Sequence, residues 1–356
     1  MTVGLSGVAL RELSVGVRVS ASLAARRCNG VYVLVCGHSF SGRLAARSHI
    51  RPNRNAGLSF ASLLRWRIFD REERSDMFTK LTDTNKAAIF TVLVLLMALA
   101  VALYLRVLGI TSESAAAWYM FTPTLAVLVM LLIVTQDGYS KEGWKTLGLH
   151  RLGLKAWLIA VLAPVLVGVG ATAIVWATPL AALAVPDDVG SQILSFFIQL
   201  VVFTLTFSLG EELGWRGYLL PQLLSLGRTP AMVLVGLVWA AWHMPLIFLT
   251  PLYHAEGNKL IVAPLFVGTI VAASFFFGYL RLWTGSVWPA SLAHTAHNSA
   301  WANLGAFTLT SNPVVVNEYL AGDNGILILV GTAVAAVWLG RKVNRELRSE
   351  EASGTT

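Results

Sequence analysis

Apolar residues in this chain come in long unbroken runs, not in the one-sided stripes of a soluble helix. From about residue 87 onward, runs of roughly 18 to 25 residues with almost no charge alternate with short polar loops, each run long enough to cross a hydrocarbon core about 30 Å thick. The pattern predicts eight spans, at 87–108, 117–135, 156–178, 191–210, 230–249, 260–280, 286–307 and 325–340. The expected fold class is therefore all-α, a polytopic transmembrane helical bundle. Between the second and third spans, residues 136–155 interleave Trp144, Leu147, Leu149 and Leu152 with basic residues, as an amphipathic segment lying on the membrane surface would. No internal repeat is evident, so the inverted-repeat pattern of many transporters is not seen.

Composition agrees: 56% of the 356 residues are hydrophobic and 13% charged, where a soluble domain carries about a quarter charged residues. The net charge of +8 is no argument for nucleic acid, because no recognition module accompanies it and the basic residues sort by loop. With the N-terminus of the first span placed in the cytoplasm, Lys80, Lys86, Lys141, Lys145, Arg151, Lys155, Arg216, Arg228, Arg281, Arg341, Lys342, Arg345 and Arg348 fall on that side. Arg106 and Lys259 fall on the other, with Asp187, Asp188, Glu256, Glu318 and Asp323. Thirteen against two is a strong positive-inside bias, and it places both termini of a multi-pass cell-membrane protein in the cytoplasm, with membrane lipid as the obligatory partner.

Residues 1–76 read differently. They hold twelve Arg and no Lys, both cysteines (Cys28 and Cys36), and no run long enough to span. We expect a basic, disordered extension there, with Met77 as an alternative start and a lipid-binding arm as the functional alternative. The "GVYVLVCG" stretch within it is strand-like or signal-like, without a convincing cleavage site. The membrane domain is then 77–348 and residues 349–356 a disordered tail.

Candidate chemistry lies inside the apolar runs, where ionisable side chains are expensive and mark functional sites. Glu211 and Glu212 end the fourth span, followed by Arg216. Successive helical residues point about 100° apart, so the two carboxylates face different ways. Glu212 and Arg216, four apart, share a face; an ion pair there would hold Glu212 and leave Glu211 to turn toward a cavity. The fifth span carries Trp239 and His243, two residues before Pro245. The seventh carries His294 and Asn298 on one face, with His297 off it. Counted along their spans at 1.5 Å per residue, His294, Asn298 and His243 lie about 12, 18 and 20 Å deep, while Glu211 falls nearer the cytoplasmic end. Tilt and bends near Pro221, Pro245 and Pro289 would have to close that gap.

The three strings Glu211-Glu212-x-x-x-Arg216, Trp239-x-x-x-His243 and His294-x-x-x-Asn298, in this order on separate spans, resemble the CPBP family of intramembrane proteases, which includes the type II CAAX prenyl endopeptidases and the bacterial Abi proteins. The resemblance covers roughly 90–310. Trp239 stands where phenylalanine is commoner, a departure expected to touch packing more than chemistry. The resemblance implies an endopeptidase acting on a membrane-associated or C-terminally modified peptide or protein, with Glu211 and His243 activating water, His294 and Asn298 holding the oxyanion, and Glu212 and Arg216 in support. Oxyanion stabilisation by such a donor contributes about 3 kcal/mol. Glu211, His243 and His294 also make a possible two-His, one-carboxylate zinc set with an open position, although the His-Glu-x-x-His string of common zinc peptidases is absent; metal-free chemistry is favoured.

Two rivals keep the fold: a non-proteolytic immunity or scaffold protein that sequesters a peptide, and a proton-coupled transporter using the polar cluster as a relay. The charge bias makes its own prediction. Reporter fusions after Lys155 and after Arg348 will both report the cytoplasm, and one near Asp188 the opposite side. An exported signal at Lys155 would overturn the arrangement.

Overall fold

A computed structural model describes residues 25–28, 31–34, 81–112 and 118–353. The expectation of a disordered extension over 1–76 lies largely outside the described residues. Within it, Ala25–Cys28 and Val31–Leu34 pair as a short antiparallel hairpin, which agrees with the strand-like pattern there.

The membrane domain is built from helices α1 (Asp83–Val107), α2 (Thr122–Val129), α3 (Trp157–Trp176), α4 (Val189–Leu205), α5 (Phe207–Glu212), α6 (Arg228–Leu249), α7 (Lys259–Thr284), α8 (Trp288–Gly305) and α9 (Ile326–Ser353). A π-helical turn, Met130–Val134, lengthens α2. Over its described residues, every run read as a span is largely helical. Among the described residues six helices are long and apolar enough to cross a membrane by length and composition alone, with Val189–Leu226 counted as one; Thr122–Val134 is shorter. Helix α8 is the polar exception, and its surroundings explain it. It packs against α3, α4, α5 and α7, and Pro289 through Ala296 are all buried. A helix walled in by other helices need not be lipid-soluble. The outer helices are the reverse: Leu96, Leu166, Val201 and Val334 are each more than half exposed, as lipid-facing side chains are.

Short links set two ends to the bundle. At one end the 136–155 segment folds back as a turn, a short helix (Lys141–Lys145) capped by Ser140, and a glycine-hinged loop. Gly148 has φ +76°, and a Cβ there would press on the Arg281 side chain and the Gly285 carbonyl, so only glycine fits. From this seat Arg281 donates to Thr146 O (2.8 Å) and Arg216 O (3.1 Å), and Trp288 Nε1 to Leu149 O (3.0 Å). Helix α9 runs to Ser353, beyond the limit expected at 348; Lys342 and Glu346, four apart and 2.8 Å from each other, are the spacing that sustains a solvated helix.

At the opposite end a two-residue ladder pairs Ala182–Leu183 with Thr308–Leu309, and a buried polar cluster ties the α6–α7 loop to the turn before α9. Tyr253 Oη donates to Asp323 Oδ2 (2.5 Å), His254 Nδ1 meets Glu318 Oε2 (2.6 Å), and Lys259 Nζ caps the His254 carbonyl. Burial works against a charge on His254, but the hydrogen bond to Glu318 and the charges of Asp323 and Glu318 outweigh it and hold its pKa above the ordinary 6.5. A raised folded pKa means protonation favours the folded state. The stabilisation is complete below about pH 6.5 and is lost as pH rises through the folded value. The melting temperature of the purified protein should therefore exceed that of His254→Gln by more at pH 6 than at pH 9. A difference that does not change with pH would refute the coupling.

Candidate active site

The fourth span is broken where it delivers its carboxylates. Thr206 leaves helical geometry (φ −124°, ψ −92°), its hydroxyl turned back to Val202 O (2.7 Å). Polar contacts bridge the break to α8: Ser291 Oγ donates to Thr204 O (2.7 Å), and Thr295 Oγ1 lies within bonding distance of Thr204 Oγ1 and Ser208 Oγ (3.0 and 2.8 Å). Beyond the break, Gly210 and Gly214 let α5 press against the second span. A Cβ on Gly210 would meet Phe121 at 3.0 Å, and one on Gly214 would meet Pro123 at 2.5 Å. With that small-residue face turned to the second span, Glu211 and Glu212 are buried within the bundle. Leu213–Leu219 then continue as a π-helix, the wider turn that recurs at functional sites. The fourth span is thus irregular at Thr206 and over Leu213–Leu219, and of the three prolines singled out in the sequence Pro245 lies inside α6. Pro221 and Pro289 sit in the first turns of helices, where the missing N–H costs nothing.

Glu212 and Arg216 are fully buried and paired, Arg216 Nη1 to Glu212 Oε1 at 2.9 Å. The same oxygen accepts from His294 Nδ1 at 3.0 Å. Glu212 therefore does more than partner Arg216: it fixes the tautomer and direction of the His294 ring, as a carboxylate behind a functional histidine does. The guanidinium lies between two aromatic faces, 4.4 Å from the Trp239 ring and 4.9 Å from Phe277, a cation–π setting suited to a desolvated arginine.

Glu211 is almost fully buried, and its Oε2 accepts from two indoles, Trp239 Nε1 at 2.7 Å and Trp215 Nε1 at 3.3 Å. Neither donor was expected from the sequence. Trp215 could have been found: it follows Glu211 by four residues, the spacing that gave Glu212 its arginine. Trp239 had been assigned to packing, and the structure corrects that, since its N–H reaches the carboxylate. His243 Nδ1 faces Trp239 O at 3.0 Å. A carbonyl can only accept, so Nδ1 carries the proton and Nε2 is the basic nitrogen of the neutral ring. Trp242 and Phe266 hold the His243 ring edge-on at 4.5 and 4.8 Å.

These groups line one cavity of about 250 Å³. Glu211, His243, His294 and Asn298 all open onto it, together with Tyr119, Trp239, Phe277, His297 and, from the far-end cluster, Tyr253, Asp323 and Asn324. His297, expected to stand apart from the His294–Asn298 face, reaches the wall and donates Nε2–H to Asp323 O (3.0 Å). Glu211, His243 and His294, the possible zinc set, line this cavity together; among the described residues no group of three His, Cys, Asp or Glu side chains is placed to hold a metal ion. Glu211 Oε2 and both Nδ1 atoms are already committed to protein partners.

Residues 193–300 match the model of the Rce1-like family of type II CAAX prenyl endopeptidases. That interval contains Glu211, Glu212, Arg216, Trp239, His243, His294 and Asn298. A curated relative, the CAAX prenyl protease 2 of Methanococcus maripaludis, is 39% identical over 61 residues, 17% of this chain; the match spans 22% of that relative's length.

Proposed function

We propose that this multi-pass membrane protein, which carries an Rce1-like domain over residues 193–300, is an intramembrane endopeptidase that hydrolyses a peptide bond near the C-terminus of a membrane-associated, C-terminally modified substrate. The observation that carries the proposal is the meeting of Glu211, His243, His294 and Asn298, from three distant stretches of sequence, on one cavity inside an apolar bundle. The relative's name, a CAAX prenyl protease, supports a prenylated substrate. The basic end, with Lys145, Arg281 and Lys342, is the cytoplasmic one in this account.

Water held between Glu211 and His243 Nε2 loses a proton to Glu211 as its oxygen attacks the scissile carbonyl. The carbonyl oxygen takes up the electron pair and is held by the amide N–H of Asn298 and by His294. With Nδ1 committed to Glu212, His294 turns its other ring nitrogen, Nε2, toward that oxygen. Collapse of the tetrahedral adduct breaks the C–N bond, and the proton on Glu211 passes to the departing amine. Enclosure by the bundle strengthens each of these electrostatic contacts. In this reading Glu211 activates water without a metal, so turnover should survive exhaustive chelation; loss of turnover that added zinc restores would make Glu211, His243 and His294 its ligands.

Protein purified at matched amounts into liposomes, given a fluorogenic prenylated peptide, tests the roles. Glu211→Gln keeps shape but removes proton acceptance and should lower turnover by at least about a hundredfold. Asn298→Ala should cost a comparable factor, and His297→Ala far less. Arg216→Ala leaves Glu212 without its cation and should lower thermal stability as well as rate, by about 3–5 kcal/mol as for other broken buried pairs. Near-normal cleavage by Glu211→Gln would sink the mechanism. Absence of turnover with prenylated and unprenylated peptides alike would favour the scaffold reading, and a proton-coupled flux without cleavage the transporter.

A further inference from the structure

One aromatic ring, that of Trp239, meets Glu211, Arg216 and His294. The N–H edge of Trp239 donates to Glu211 Oε2 at 2.7 Å. Its face carries the Arg216 guanidinium at 4.4 Å, and the His294 ring meets it at 5.3 Å in an edge-on arrangement. Phe277 lies against it at 6.0 Å, and its backbone carbonyl fixes the His243 tautomer. A ring held on its face and flank has little freedom to rotate, so the direction of its single donor is set by packing and not by Glu211. The second indole, Trp215, comes from the π-helical turn itself and points at the same oxygen at 3.3 Å.

We propose that Trp239, with Trp215 as the weaker partner, is a positioning residue for the base. The two indole N–H groups saturate Oε2, so that Oε1 is the oxygen that takes the proton from water, and they stop the buried carboxylate from swinging toward Arg216. Two features make this more than packing. The donors converge on one oxygen and leave the other, and they are neutral, so they orient the carboxylate without the full ion pair that would quench it as a base. Glu212, one residue on, receives the cation instead. A phenylalanine at position 239 would keep the face for Arg216 and lose the donor. The proposal rests on the assignment of Glu211 as the base.

The test replaces Trp239 by benzothienylalanine, which has the same shape with sulfur in place of the N–H, alongside Trp239→Phe and Glu211→Gln. With the prenylated peptide, the isostere should lower kcat by about ten- to a hundredfold, the value of one hydrogen bond to a charged group, while KM stays within about twofold. Melting temperature should stay near that of the unmodified protein, which a purely structural role would not allow. In spectra of the indole-15N-labelled protein, the N–H resonance that the isostere removes should lie downfield of the other indoles and shift in Glu211→Gln. Normal kcat in the isostere with an inactive Glu211→Gln would overturn the positioning role and leave the mechanism standing. Normal turnover in Glu211→Gln would overturn the mechanism and this role with it; the 15N resonance then decides the hydrogen bond alone, and one that ignores Glu211→Gln removes that too.

Discussion

An arginine with no exposed surface inside a lipid-embedded bundle constrains everything around it. Taking a guanidinium and a carboxylate out of water is costly, and the mutual attraction of a close pair offsets part of that cost. Here Glu212 lies 2.9 Å from Arg216 and lends the same oxygen to His294; Glu212 Oε2 and Arg216 Nε and Nη2 are buried without a hydrogen-bond partner among the described residues, and Trp239 and Phe277 supply aromatic faces to the cation. The pair needs α5 driven deep against the second span, and Gly210 and Gly214 permit that approach. It also needs α8, with His294, in the middle of the bundle. The polarity of α8 follows from this position, walled in by α3, α4, α5 and α7.

Neutralising one carboxylate with a full charge leaves its neighbour available. Glu211 receives only neutral donors, and it faces the cavity with His243 and Asn298. The ends of the bundle make the placement rigid. Arg281 ties the 136–155 loop to the backbone of Arg216 at one end. At the other, the Tyr253–Asp323 and His254–Glu318 contacts pin the loops that wall the cavity, and His297 is bonded to the Asp323 carbonyl. A constellation meant for chemistry is useful only if such supports hold it to a fraction of an ångström.

Where the sequence was readable, the signal was local. Long apolar runs marked the spans, and the four-residue spacing of Glu212 and Arg216 foretold their pair. The same spacing pointed to Trp215 on Glu211, but an indole reads as packing unless its one donor is counted. Trp239 illustrates the limit: its N–H reaches a residue twenty-eight positions earlier, and nothing in its own helix says which way the ring turns. Tyr253, Asp323 and Asn324 come from loops whose approach depends on the whole bundle. The break at Thr206 was equally hidden, because threonine in an apolar helix carries no strong signal for it.

The central claim is that this cavity hydrolyses a peptide bond with water activated at Glu211. Isotope tracing addresses it most directly. Purified protein in liposomes, given a prenylated peptide in 18O-labelled water, should yield a fragment whose new C-terminal carboxylate carries one 18O atom after a single turnover, with no label in the released C-terminal fragment. An intact peptide recovered unlabelled after long incubation with correctly folded protein would contradict the account.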